Sequence, residues 1–496
     1  MHLVRILAAL ALAAPQAAPE RPNILFIYTD DQSHRTVSCY SEALPWARTP
    51  NIDRLAARGV RFTHAYIGTW CMPSRATLLT GRHPHGVESM QMEGKYPGSV
   101  YDPAKCPFWP AVFRKQGYVT AQIGKWHTGT DAGYGRDWDH QIVWNRPKHP
   151  DNSTHYYDDQ ILSFDGGPDT RTAGYSTDNY TAWAEAFIRG KNRPAGKPWY
   201  LWLCYGAVHG PFTPAERHRA NYPDVKVDPP ADVYPPRPGK PAYMQGIARW
   251  VKGDDGQPRL RTKTGKTLTE AVRQYQQATD ALDEGIGRVL RALEESGQLR
   301  NTLVVLTSDQ GYAWGQHGFA EKLAPYDANL RAPFIVSMPG TLPEGTVCET
   351  PVGGADLVPT FFRFAGLELP WKVDGHDLSP LLKDPKAAWP HPVLIEFTSA
   401  TYGSDTDRIP TGPELYRSDI PWYLMLVRGR TKYIRTLVAG ETEELYDLAK
   451  DPEELENLAS DPARAGLLAE LREATVAELR RTGAGMADRL PPVRAR

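Results

Sequence analysis

Residues 23–32 read NILFIYTDDQ, an unbroken run of apolar and β-prone side chains from Ile24 to Thr29 that ends directly on two carboxylates, Asp30 and Asp31. A continuous run, rather than an alternating one, is what a strand buried on both faces needs, as in a mostly parallel sheet covered by helices. Three other stretches repeat the arrangement. YVTAQIGKWH (118–127) ends on Lys125 and His127, WYLWLCYGAVHGPF (199–212) leads to His209, and NTLVVLTSDQG (301–311) ends on Asp309 and Gln310. Helical segments such as 271–296 intervene, so the pattern predicts an α/β fold. In such sheets ligands bind outside the carboxyl ends of the strands. A single aspartate there is an ordinary cap or turn residue. Four strands delivering carboxylates, an amide, two imidazoles and an ammonium to one end predict a shared site.

Asp30, Asp31, Asp309 and Gln310 offer only oxygen, a donor set for a hard cation: Ca²⁺ first, Mg²⁺ second, with zinc disfavoured. Three converging acids repel one another unless a cation joins them. Lys125, His127, His209 and Lys322, the last in GFAEKLAPYDANLRAPFIV (318–336), would then surround an anion held against the metal.

The stretch TWCMPSRATLLTGRHP (69–84) places a cysteine where a helix begins. Helix is expected from Pro73, with Gly81 as its stop. Cys71 therefore sits at the helix mouth, where free amides and the positive dipole end would lower a thiol's pKa or hold an oxyanion. The competing reading is a buried, inert thiol.

Composition narrows the classes. The chain has 496 residues, 41% hydrophobic and 23% charged, with a formal net charge of -1, which gives no overall attraction to nucleic acid or an anionic membrane. The N-terminus MHLVRILAALALAAPQAAPE carries one early arginine, a short apolar run and small residues near Ala17 and Ala18. It reads as a secretory signal over residues 1–18, too short to span a bilayer, which predicts a secreted or periplasmic protein. Five cysteines leave an odd thiol in an oxidising compartment.

In these residues the chain resembles the type I sulfatases of the alkaline phosphatase superfamily. The signature Cys-x-Pro-Ser-Arg followed by Thr-Gly-Arg stands as Cys71-Met72-Pro73-Ser74-Arg75 and Thr80-Gly81-Arg82. The likeness runs from RPNILFIYTDDQ through TPNIDRLAARGVRFTHAY and GKWH to the C-terminal RTKYIRT and EELYDLAKDPEELENLA. It implies an alkaline-phosphatase-like large domain over 22–380, with a mixed, mostly parallel sheet, and a smaller C-terminal antiparallel-sheet subdomain over 390–485. In that family the signature cysteine is oxidised to formylglycine by a modifying enzyme, which would be a partner during maturation. The hydrated aldehyde attacks sulfur with one hydroxyl and expels sulfate through the other.

The resemblance also implies roles. Asp30, Asp31, Asp309 and Gln310, with an oxygen of residue 71, would bind Ca²⁺. Arg75 would fix the diol, Lys125 and Lys322 would neutralise sulfate oxygens, His127 would be the base for release, and His209, aided by Lys322, the acid for the leaving alcohol. Gln310 departs from the family pattern, in which the fourth ligand is most often Asn. The segment 128–181 is too long for a simple connection and is expected at the substrate rim, with His149, His155, Tyr156, Tyr157 and Asp158 as candidate sugar contacts. A sulfated carbohydrate, such as a carrageenan, is the expected substrate. The alternatives are a formylglycine-dependent phosphodiesterase or phosphonate monoester hydrolase and, outside enzymes, a sulfoglycan-binding protein with Cys71 unconverted.

Overall fold

The strand Asn23–Thr29 lies near the middle of an eleven-stranded mixed sheet, the largest among the described residues. The structure is a computed structural model and describes residues 21–89 and 101–494; the leader expected over 1–18 lies outside the described residues. Asn23–Thr29 pairs in parallel with Thr302–Ser308 on one side and with Trp199–Cys204 on the other. Trp199–Cys204 continues in parallel to Val119–Lys125, and that strand to His140–Trp144. These five strands all end at the same edge, as the four polar endings predicted. Beyond them the sheet turns antiparallel, through Arg331–Ser337 and Val60–Tyr66 at one side and Gln160–Phe164 and Thr170–Thr172 at the other.

The continuous apolar runs serve two cores. Ile24, Phe26 and Tyr28 face one layer together with Trp202 and Phe361, while Leu25 and Ile27 face the other, where the long helix Leu268–Glu295 packs with Leu282 and Ile286. That helix starts at a capping box made by Thr267 and Glu270.

A second, four-stranded antiparallel sheet is built from Val393–Phe397, Tyr423–Arg428, Thr431–Thr436 and Glu444–Asp447. Its period-two alternation divides its side chains. Tyr423, Met425 and Val427 join one core layer of the large sheet, whereas Leu424 and Leu426 pack with Leu468, Leu471 and Leu479 of the helix Ala465–Thr482. The small sheet is thus sandwiched between its own helix and the large body. The fold is mixed α/β with a large, mostly parallel sheet and a smaller antiparallel one.

Candidate active site

At the common edge of the parallel strands the chain gathers Asp30, Asp31, Cys71, Arg75, Lys125, His127, His209, Asp309, Gln310 and Lys322. Asp30 and Asp31 leave the strand Asn23–Thr29 together, but they face differently because Asp31 takes a left-handed backbone, φ 59°. The turn is pinned from below by the long helix. Tyr275 donates its hydroxyl to the Asp31 carbonyl at 2.5 Å and accepts the Ser33 amide at 2.8 Å. Asp309 follows the neighbouring strand, and its Oδ1 accepts the Asp31 amide at 2.8 Å and the Gln310 amide at 3.1 Å.

Cys71 is the first residue of a helix running Cys71–Thr80, two residues earlier than Pro73, and Gly81 ends it in a left-handed conformation. Every residue of this helix is buried. Arg75, one turn on, is fully buried. It donates Nη1 to the Lys125 carbonyl at 2.9 Å, and its Nη2 lies 3.9 Å from Asp30 Oδ1 and 4.0 Å from Asp309 Oδ2. Lys125 forms a buried ion pair with Asp30. Lys322 Nζ donates to Asp31 at 2.6 and 2.9 Å and lies 3.1 Å from Cys71 Sγ.

The thiol is not activated here. Burial and then the Asp30 charge push Cys71 up to about 12, outweighing the ammonium groups of Lys125 and Lys322. The helix mouth alone predicted the opposite direction, because a local sequence does not reveal that the Cys71 side chain is buried. Burial likewise lowers His209 well below the usual imidazole range, with Lys322 adding to it, and lowers His127, with Arg146 and Lys125 adding to it. His209 Nδ1 lies 2.8 Å from the Gly210 carbonyl, which a neutral ring satisfies by carrying its proton on Nδ1; Nε2 then accepts the Tyr156 hydroxyl at 3.2 Å. Asp31 Oδ2 is 3.6 Å from the same Nε2.

Repulsion alone does not demand a cation, since Lys125, Lys322 and Arg75 balance the three carboxylates in charge. The donor atoms do point to one. Asp30 Oδ1, Asp309 Oδ2 and Gln310 Oε1 are buried with no hydrogen-bond partner. Asp30, Asp31, Cys71 and Asp309 each present a ligand atom, all within 4.8 Å of one another. Buried polar atoms of this kind are costly unless something coordinates them, and the oxygens of the three aspartates and Gln310 fit Ca²⁺ or Mg²⁺. Gln310 also donates its amide nitrogen to Asp31, so its longer side chain reaches into the cluster.

The five expected sugar contacts separate. Tyr156 and Tyr157 are not rim residues: they are 1% and 3% exposed. The Tyr156 ring stacks on His209 with centroids 4.0 Å apart, and its hydroxyl also meets Lys125 at 3.3 Å and Arg146 at 2.8 Å. Tyr157 donates to the His209 carbonyl at 2.7 Å. An aromatic-rich loop looks like a sugar platform in sequence, but here the rings pack inward and brace the imidazole. His155 is half-buried and Asp158 exposed. His149 lies 3.1 Å from Asp169 and lines a cleft of about 360 Å³ with Asn145, Lys148 and Tyr134. Arg146 was missed. It follows His140–Trp144, a fifth parallel strand ending at the same edge, whose short HQIVW run gave too weak a signal.

Residues 22–367 match the family model described as Sulfatase. The chain belongs to the sulfatase family. It is 30% identical over 437 residues to the N-acetylglucosamine-6-O-sulfatase of Bacteroides thetaiotaomicron, covering 76% of this chain and 74% of that protein. A solved structure of a protein in complex with its substrate D-glucosamine-2-N,6-O-disulfate shares the fold, with a TM-score of 0.78 and 24% identity, covering 95% of this chain and 99% of that one. The phosphonate monoester hydrolase from Silicibacter pomeroyi aligns with a TM-score of 0.70 and 25% identity, covering 94% and 96%. This sulfatase is an enzyme of sulfate-ester hydrolysis, and its fold is that of the alkaline phosphatase superfamily.

Proposed function

We propose that this sulfatase acts on a sulfated carbohydrate, with a 6-sulfated glucosamine unit as its substrate class, and that residue 71 is the nucleophile after conversion of the Cys71 thiol to formylglycine. The setting of Cys71 supports this: it begins the buried helix Cys71–Thr80 and stands 3.1 Å from Lys322 amid the cluster of unpartnered oxygens. The choice of sugar follows the amino-sugar relative, in place of the carrageenan expected from aromatic loops. The modifying enzyme is the implied partner, and the leader over 1–18 supports an exported protein.

In this reading Asp30, Asp31, Asp309 and Gln310 would hold Ca²⁺, which would supply Lewis-acid polarisation of a bound ester. Lys125 pairs with Asp30 and Lys322 with Asp31, and both would bind the oxygens of the sulfate. Arg75, fully buried and hydrogen-bonded to the Lys125 carbonyl, fixes both the helix turn and the nucleophile. The His209 side chain, 22% exposed, would take a proton from solvent at Nε2 and give it to the leaving alcohol, with the Tyr156 ring stacked on the imidazole. His127 takes the proton for release. Sugar recognition is assigned to His149, His155 and Asp158.

A phosphonate monoester hydrolase is the second reading, favoured by the Silicibacter pomeroyi neighbour. The test offers N-acetylglucosamine 6-sulfate, sulfated galactans, an aryl phosphate diester and an aryl phosphonate to matured protein and measures released sulfate and phosphorus-ester turnover. Sulfate from the amino sugar is expected. Turnover confined to the phosphorus esters would overturn the proposal.

A further inference from the structure

Lys322 is carried on an irregular segment between the strands Thr302–Ser308 and Arg331–Ser337, and nothing in its own stretch of sequence makes that segment rigid. Its geometry is nonetheless strained, since Leu323, the next residue, is a non-glycine held at φ 86°. Such a conformation persists only where the surroundings fix it. What fixes it comes from the small sheet. Tyr423, the first residue of the strand Tyr423–Arg428, donates its hydroxyl to the Leu323 carbonyl at 2.5 Å. The three positions from 325 to 327 are held in the same way: Lys432 donates to the Pro325 carbonyl at 3.5 Å, Tyr326 donates to Glu444 at 2.9 Å, and the Asp327 amide donates to Glu454 at 2.6 Å. Lys432 also ion-pairs with the Asp327 carboxylate. Every strand of the small sheet from Tyr423 onward therefore contributes a side chain to the segment that bears Lys322.

We infer that the small sheet is a positioning element for catalysis, and that Tyr423, through its hydroxyl on the Leu323 carbonyl, sets the distance of the Lys322 ammonium from residue 71. This rests on the role proposed above for Lys322. Tyr423 is buried, 1% exposed, and its ring is stacked on Phe397 with centroids 5.3 Å apart. It reaches neither the nucleophile nor the substrate; it acts on them through Lys322.

Ring and hydroxyl can be separated experimentally. Tyr423→Phe keeps the ring and removes the hydroxyl; Phe397→Leu disturbs the ring contact and keeps the hydroxyl. With matured protein and N-acetylglucosamine 6-sulfate, Tyr423→Phe should lower kcat about five- to tenfold, the effect of one hydrogen bond that matters to the transition state, with KM within about twofold. Phe397→Leu should lower the unfolding midpoint and lower kcat by less than Tyr423→Phe does. In the double variant Tyr423→Phe with Lys322→Ala, the loss should equal that of Lys322→Ala alone, because without the ammonium the hydroxyl has nothing left to position. Full multiplication of the two losses, or an unchanged kcat in Tyr423→Phe, would overturn the inference while leaving the role of Lys322 intact. Full activity in Lys322→Ala itself would instead remove the reading on which it rests.

Discussion

Replacing Lys125 by methionine should make stability depend on calcium far more steeply than it does in the unaltered protein. Lys125 and Asp30 form an ion pair in which both side chains have no solvent exposure. Methionine keeps an unbranched stem in the same space and removes the charge. Taking one partner from a buried pair costs about 3–5 kcal/mol, because the other charge is left uncompensated. The site then holds three carboxylates against only Lys322 and Arg75. Calcium bound at Asp30 supplies the missing compensation, so the penalty should fall below about 2 kcal/mol once the ion is saturating. In the unaltered protein, free Ca²⁺ at a hundredfold its Kd should add about 2.7 kcal/mol, and the variant should gain more than that. Denaturant unfolding of both proteins in EDTA, in Ca²⁺ and in Mg²⁺ measures the six free energies. An equal penalty with and without Ca²⁺ would refute the assignment of Asp30 as a metal ligand.

Two further outcomes follow from the same geometry. His85 Nδ1 lies 2.8 Å from Glu396 Oε2, and although burial opposes the charged ring, Glu396 pushes it up to about 9. Its folded value lies above the unfolded one near 6.5, so the pair's stabilisation is complete below pH 6.5 and is lost as pH rises through about 9. At 1.36 kcal/mol per pKa unit that is about 3 kcal/mol. Unfolding free energies measured from pH 6 to 10 should fall over that window in the unaltered protein and lack this component in His85→Gln; parallel curves would count against it. His209→Ala should lose much more kcat on a sulfated oligosaccharide than on an aryl sulfate, because only the sugar alcohol needs a proton to leave. Equal losses on both would take His209 out of the acid role.

What the sequence revealed and what it hid divide along physical lines. Asn23–Thr29 and its three companions were legible because a strand covered on both faces must be apolar throughout, and because a parallel sheet sends every strand end to one edge. The family signature around Cys71 was legible, although the helix begins at Cys71 itself and not at Pro73. Glu444–Asp447 was not legible as a strand: it is four residues long and begins with an acid that pairs with Tyr326 and Tyr446 rather than with water. Tyr156 and Tyr157 misled because the direction a loop aromatic faces is decided by distant partners, here His209 on another strand's loop. The Cys71 thiol misled for the same reason, since helix position is local and burial is not. The tie from Tyr423 to Leu323 spans a hundred residues of chain, and no spacing in the sequence announces it.

If residue 71, once converted, does the chemistry, sulfate release must track conversion. Preparations made with graded amounts of the modifying enzyme can be digested after Arg61 and Arg75, and the peptide Phe62–Arg75 weighed by mass spectrometry to give the fraction in which CH2SH has become CHO. Set against the rate of sulfate release from N-acetylglucosamine 6-sulfate by the same preparations, that fraction should give a straight line through the origin. Sulfate release at an undiminished rate from protein in which the peptide is entirely thiol would contradict it.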